Sequence, residues 1–151
     1  QHALKFFSND EGPEYDVMVS IPATAPLRKP IDISNCIDAY EKDDVDAVIT
    51  VTDAHRNPYF NMVSETSNGL VNLVSKPSKV IYNRQDAPKV FDITTVAYVA
   101  KTSFVLNNKS IFSGKVSSIY VPIERSIDID TKLDFEIAEF LFERGKGEPV
   151  C

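Results

Sequence analysis

At 151 residues, 43% hydrophobic and 25% charged, the chain has the size and composition of one ordinary globular domain. A formal net charge of −6 speaks against nonspecific binding to nucleic acid or to an anionic membrane. Two cysteines, one of them the last residue, make no disulfide framework and point to a reducing cytoplasm, and no run approaches the roughly 20 apolar residues of a membrane span.

"HALKFF" (2–7) reads as the last turns of a helix, so the natural domain is expected to begin before Gln1; no signal-peptide pattern is present. The polar "SNDEGPEYD" (8–16) is a loop, and the β-branched "VMVSI" (17–21) a buried strand. "PATAPLRKP" (22–30) carries three prolines in nine residues and must be a loop. Apolar residues at 33, 36, 37 and 40 predict a helix over 31–42, with Asp32 or Ser34 as cap and Cys36 in the core. "DAVITVTD" (46–53) is a second buried strand, and the strand–helix–strand order predicts that the two run parallel. Residues 61–75 hold two short extended runs around "SNG", a hairpin signal, and 76–91 form a polar, basic loop. A strand follows at 94–100, then a short helix at 102–108 capped by Thr102, and a last strand at 116–123. The clearest helix is 131–145, with Leu133, Ile137, Phe140 and Leu141 as its buried face, Thr131 and Asp134 as a capping box and Gly145 as its stop. Residues 146–151 read as a frayed tail. The sum is one α/β domain over 1–145: a mostly parallel sheet flanked by helices, with a hairpin and loop insertion at 61–91.

Ligands of such sheets gather at the carboxyl ends of strands, which draws attention to three stretches. In "RSIDID" (125–130) an extended backbone turns Asp128 and Asp130 to one side. Two adjacent carboxylates want a cation, basic partners or full solvation; taken alone, the stretch favours Asp130 as a helix cap over a metal site. In "YNRQDAP", Arg84 has the fork geometry for a carboxylate or phosphate and Gln85 adds a neutral donor and acceptor, yet taken alone the stretch favours a solvated surface arginine. In "PATAPLR", Thr24 and Arg28 stand on a proline-stiffened loop just past a strand. His55 lies in a polar loop with no serine or cysteine elbow and no zinc spacing, and there is no P-loop or GxGxxG motif.

Taken together and in this order, the three stretches resemble the acylneuraminate cytidylyltransferases. "PATAPLR" matches that family's Q-P-T-S-P-L-R loop, "RQDAP" followed by Tyr98 its R-Q-x-x-P loop and strand, and "SIDIDTKLDFEIAE" its S-x-D-I-D before a helix carrying D and A-E. The resemblance covers about residues 3–141 and implies a three-layer, Rossmann-like nucleotide-diphospho-sugar transferase fold. It implies transfer of CMP from CTP to a nine-carbon α-keto sugar acid, with release of pyrophosphate. It further implies Mg²⁺ on Asp128 and Asp130, Arg84 and Gln85 beside the sugar acid, Thr24 and Arg28 on the substrate side, Tyr98 in the sugar pocket wall, and a homodimer formed through the insertion. A non-catalytic remnant, or the related eight-carbon sugar acid enzyme, is the alternative. Pro22 replaces the family's glutamine, and "DITT", with Asp92 and Thr94, replaces its R-P-N-G; an acid in place of a base implies a different nonulosonic acid. "ATAP" is similar to the pseudaminic- and legionaminic-type branches. The family's glycine-rich, basic CTP loop has no counterpart in these residues, so this polypeptide by itself is expected to turn over little or nothing.

Overall fold

The computed structural model describes residues 1–7 and 15–145; the tail expected at 146–151, and most of the loop expected at 8–16, lie outside the described residues. The chain divides into two compact units, one formed by residues 1–52 and 93–151 and the other by 53–92.

The first unit is a sheet with helices. Its strands are β1 (Val17–Ser20), β2 (Ala47–Asp53), β5 (Phe91–Lys101) and β6 (Val116–Tyr120), in the order β1-β5-β2-β6. Its helices are α1 (His2–Phe7), α2 (Pro30–Lys42), α3 (Thr102–Asn107) and α4 (Lys132–Gly145). β2 and β6 pair in parallel, Ala47 against Val116 and Val51 against Tyr120. β1 and β5 pair antiparallel, Val17 against Lys101 and Ser20 against Tyr98. The Lys101 amide donates to the Asp46 carbonyl while Ala97 meets the Thr50 hydroxyl, so β5 also opposes β2. β1, β2 and β6 therefore point one way and β5 the other. β1 and β2 run in the same direction, as expected, but they are not neighbours, because β5 stands between them. A strand–helix–strand signal gives direction and not adjacency, because a later strand can insert at the crossover.

The core follows from strand burial. β2 is buried over six consecutive residues, as a central strand covered on both faces must be. Val48, Ala97 and Val99 pack with Cys36 of α2, which places that cysteine in the core as expected; burial, then the charge of Asp32, pushes its thiol up to about 11. Thr50 and Thr94 sit inside the same sheet, where Thr94 Oγ1 donates to Thr50 Oγ1 at 2.7 Å and the pair satisfies itself. α2 opens with Lys29 as N-cap and Pro30 as its first residue, a position where a missing N–H is harmless. Asp32 does not cap but accepts the Lys29 amide at 2.8 Å from inside the first turn. α3 likewise begins with Lys101 at the cap, and Thr102 is its buried first residue.

α4 departs from the expected packing. Only Ala138 is buried, with Asp134 and Leu141 half-buried, while Leu133 is 63% and Phe140 60% exposed and Ile137 is also exposed. The inward stripe is Asp134–Ala138–Leu141. Leu133, Phe135, Ile137, Phe140 and Phe142 leave the helix apolar on nearly every side, so periodicity cannot select the face that docks.

The second unit holds the hairpin of β3 (Val63–Glu65) and β4 (Val71–Leu73), with Val63 opposite Leu73. Its turn is closed by the Thr66 amide on the Leu70 carbonyl at 2.8 Å, and Gly69 takes a φ of 78°, the conformation for which "SNG" supplies the residue. No helix among the described residues is long and apolar enough to cross a membrane.

Candidate active site

The candidate site in the sheet unit is built where the chain leaves β1 and where it leaves β6. Past β1, Ala25 is fully buried against Val96 and Val121, which anchors the proline loop. Arg28 turns back on that loop: its Nε donates to the Ala25 carbonyl at 2.8 Å and its Nη2 to the carbonyl of Pro22. Partial burial lowers its pKa. In this arrangement the guanidinium stiffens the loop, while Thr24 keeps its side chain exposed.

Past β6, a 3₁₀ turn over Ile123–Arg125 leads into "SIDID". The Ile129 amide donates to the Thr24 carbonyl at 2.9 Å, so the "PATAPLR" and "RSIDID" stretches are joined by a backbone hydrogen bond. The cap of α4 is the predicted box: Thr131 Oγ1 donates to Asp134 Oδ2 at 2.7 Å, the Thr131 amide to the same oxygen at 2.8 Å, and the Asp134 amide returns to Thr131 Oγ1. These bonds, the Thr131 hydroxyl first, hold the Asp134 carboxyl below its ordinary value. Capping thus belongs to Thr131 and Asp134 and not to Asp130, whose amide alone joins in, donating to Asp134 at 3.3 Å.

Asp128 carries a buried Oδ1 with no hydrogen-bond partner. Tyr98 lies close enough that, after burial, the charge of Asp128 raises its phenol pKa. A buried carboxylate oxygen without a donor is costly unless something cationic meets it. Among the described residues no group of three or more His, Cys, Asp or Glu side chains could hold a metal, so Asp128 and Asp130 supply at most two protein ligands. That number suits Mg²⁺, which is commonly held by one or two carboxylates with substrate phosphates completing its shell. The donor set fits the group.

Arg84 and Gln85 belong to the second unit. They form a 3₁₀ turn with Asp86 and line a cavity of about 550 Å³ that also takes Arg56, Lys89 and Asp53. Arg84 spends one Nη2 bond on the Ala54 carbonyl at 2.7 Å and is otherwise exposed. The cavity floor is set by Asn57, buried, whose Nδ2 donates to the Pro88 carbonyl at 2.9 Å. Asp92 accepts the His55 amide at 3.1 Å, which gives the acid of "DITT" a local task in holding the loop after β2. Sequence reasoning passed over Arg56 and Lys89, although both are cations in loops beside the motif it did select. It also passed over the partner of Arg125, since nothing in spacing connects residue 125 with residue 32.

In fold the chain resembles 4-diphosphocytidyl-2C-methyl-D-erythritol synthase from Anaerococcus prevotii, which superposes with a TM-score of 0.63 over 95% of this chain and 64% of that one, at 17% identity, a likeness of fold alone. In sequence the chain is 36% identical over 131 residues to post-translational flagellin modification protein B of Campylobacter coli and 38% identical over 128 residues to CMP-N,N'-diacetyllegionaminic acid synthase of Campylobacter jejuni. It is 23% identical over 141 residues to an N-acylneuraminate cytidylyltransferase of Streptococcus agalactiae. In sequence the chain is thus similar to proteins of the acylneuraminate cytidylyltransferase type. These matches take in 86%, 84% and 85% of this chain, but it spans only about half the length of the two Campylobacter proteins, 54% and 53%. No protein-family model matches it.

Proposed function

We propose that this chain contributes the sugar-acid and metal half of a CTP-dependent synthase that makes a CMP-nonulosonic acid of the legionaminic type. The observation that carries the reading is Asp128, a buried carboxylate oxygen left without a donor beside Asp130, whose side chain the helix cap does not use. The 38% identity to a CMP-legionaminic acid synthase and the acid at position 92 favour the legionaminic branch over the sialic.

The reaction joins the anomeric hydroxyl of the sugar acid to the α-phosphate of CTP and releases pyrophosphate. Such a transfer depends on charge neutralisation and in-line positioning and needs no protein nucleophile. Bound Mg²⁺ would neutralise phosphate charge and acidify the attacking hydroxyl. Asp128 and Asp130 are the residues to hold it. Tyr98 lies near Asp128, Thr24 stands exposed on the proline loop, and Arg28 keeps that loop rigid. In the second unit, Arg84, Gln85 and the neighbouring Arg56 and Lys89 give a cavity with the charge and donors for a sugar carboxylate. A cytoplasmic site of action accompanies this reading. So does a homodimer through the hairpin and loop insertion at 61–91, where Val71 is 60% and Tyr82 81% exposed.

The test is CMP-sugar formation by the natural full-length protein from CTP, Mg²⁺ and a panel of legionaminic, pseudaminic and N-acetylneuraminic acids. The legionaminic acid should give the highest kcat/KM. No CMP-sugar from any of the three would overturn the enzymatic reading and leave a sugar-acid binder in its place.

A further inference from the structure

Arg125 stands three residues before Asp128, and its guanidinium reaches across to the first turn of α2. Nη2 donates to Asp32 Oδ1 at 2.7 Å and Nε to Asp32 Oδ2 at 3.0 Å, a two-pronged pair. Asp32 is 1% exposed and takes a third bond from the Lys29 amide at 2.8 Å. Stability alone is a poor reason for so buried a pair, since apolar residues of the same volume commonly do as well. What the planar fork does supply is direction.

That direction bears on the metal stretch. The Arg125 amide closes a turn on the Pro122 carbonyl at 3.0 Å, and the Ser126 amide one on Ile123 at 3.1 Å. The Ile129 amide is pinned to Thr24. Asp128 is therefore strung between two fixed points, the Arg125 side chain upstream and the Ile129 amide downstream, and Asp130 is bounded below by the Thr131 cap. The buried Oδ1 of Asp128 has no bond of its own to hold it.

We propose that Asp32 and Arg125 are positioning residues for the cation site: their ion pair fixes the course of residues 126–130 and so presents Asp128 and Asp130 to one divalent ion. Neither touches the ion or a substrate. This rests on the reading of Asp128 and Asp130 as metal ligands given above.

The experiment uses the 151-residue chain, with Mn²⁺ as probe and paramagnetic broadening of the amide resonances of residues 128–130 as a site-specific readout. Two variants are compared with the parent. Arg125→Lys keeps the charge and loses the fork; Asp32→Asn with Arg125→Gln keeps hydrogen-bonding groups and leaves no lone buried charge. Each should require about tenfold more Mn²⁺ for half-broadening, the lower end of what losing an outer support does to a metal site. Thermal melting is followed in parallel, because a purely structural pair would lower Tm and leave the Mn²⁺ midpoint where it was. A parent-like midpoint in either folded variant overturns the proposal. If the lysine variant does not fold, the neutral pair decides alone. A parent whose residues 128–130 never broaden removes the cation site itself, and the positioning role with it, an outcome separate from a parent that binds while both variants bind equally.

Discussion

Asp128 keeps a carboxylate oxygen out of water with no donor to answer it, and an unanswered buried acceptor destabilises the protein that carries it. Such a residue is retained for what it binds rather than for what it holds together. Asp128→Asn should therefore separate two properties. Turnover by the full-length protein should fall by more than about a hundredfold, beyond what loss of an outer support does, while Tm of the metal-free protein stays at or above that of the parent. Differential scanning calorimetry beside a pyrophosphate-release assay reads both. A drop in Tm matching the loss of activity would make Asp128 a structural residue. Thr131 and Asp134 carry the opposite signature. The Asp134 carboxyl is held below its ordinary value by the Thr131 hydroxyl and amide, so its contribution to stability is present above the unfolded-state pKa, near 4, and is lost as pH falls through the lower folded value. Thr131→Ala should lower Tm by a few degrees at pH 6, as loss of a helix cap does, and the gap to the parent should close as the pH is taken below about 4. A gap that is constant with pH would detach Asp134 from the cap.

Elements were legible where one local rule governs them. The turn at Gly69, the capping box at Thr131 and the strand run of β2 each follow from a few adjacent residues, and all three stand where the pattern put them. The inward face of α4 was not legible, because its apolar residues surround the helix and only the small Ala138 reaches the sheet unit closely. The place of β5 between β1 and β2 was not legible either, since strand adjacency is fixed by contacts between residues far apart in the chain, such as Ser20 with Tyr98 and Thr50 with Ala97. Of the site, the residue types and their motifs were readable; the Asp32–Arg125 pair was not, for it joins the start of one helix to a turn 93 residues later. A glycine outside any motif makes the same point. A Cβ on Gly114 would lie 2.5 Å from Asp46 Oδ2 and 2.6 Å from Phe104 Cε2. Asp46 is itself committed, accepting the Lys115 amide at 2.8 Å, so it has little room to yield. Gly114→Ala should destabilise by about 1–3 kcal/mol, the range for forcing an extra methyl into a packed contact. Urea denaturation with an unchanged m-value would measure it, and a shift below about 0.5 kcal/mol would show that the β6 entry relaxes freely.

At the scale of the whole molecule the question is what an acidic chain does with so much apolar surface. In the sheet unit α4 turns out Leu133, Phe135, Ile137, Phe140 and Phe142; in the second unit the hairpin exposes Val63, Leu70 and Val71. Exposed apolar side chains in such number mark contact surfaces or invite association. The net charge of −6 opposes association at long range, but only over a Debye length of about 10 Å at 0.1 M salt. The 151-residue chain should therefore self-associate more strongly as salt rises from 0.02 to about 0.5 M, the reverse of an interface held by ion pairs. The two patches separate by substitution. Val63→Lys with Val71→Lys should abolish a discrete dimer in sedimentation velocity, in keeping with an interface at the hairpin. Leu133→Glu with Phe140→Glu should leave that dimer intact and reduce both larger species and the fluorescence of bound anilinonaphthalene sulfonate. Because both α4 side chains are exposed, the fold should notice little: the unfolding free energy should change by no more than surface substitutions usually cause, about ±0.5 kcal/mol. If the α4 pair dissolves the dimer and the hairpin pair does not, the interface belongs to α4.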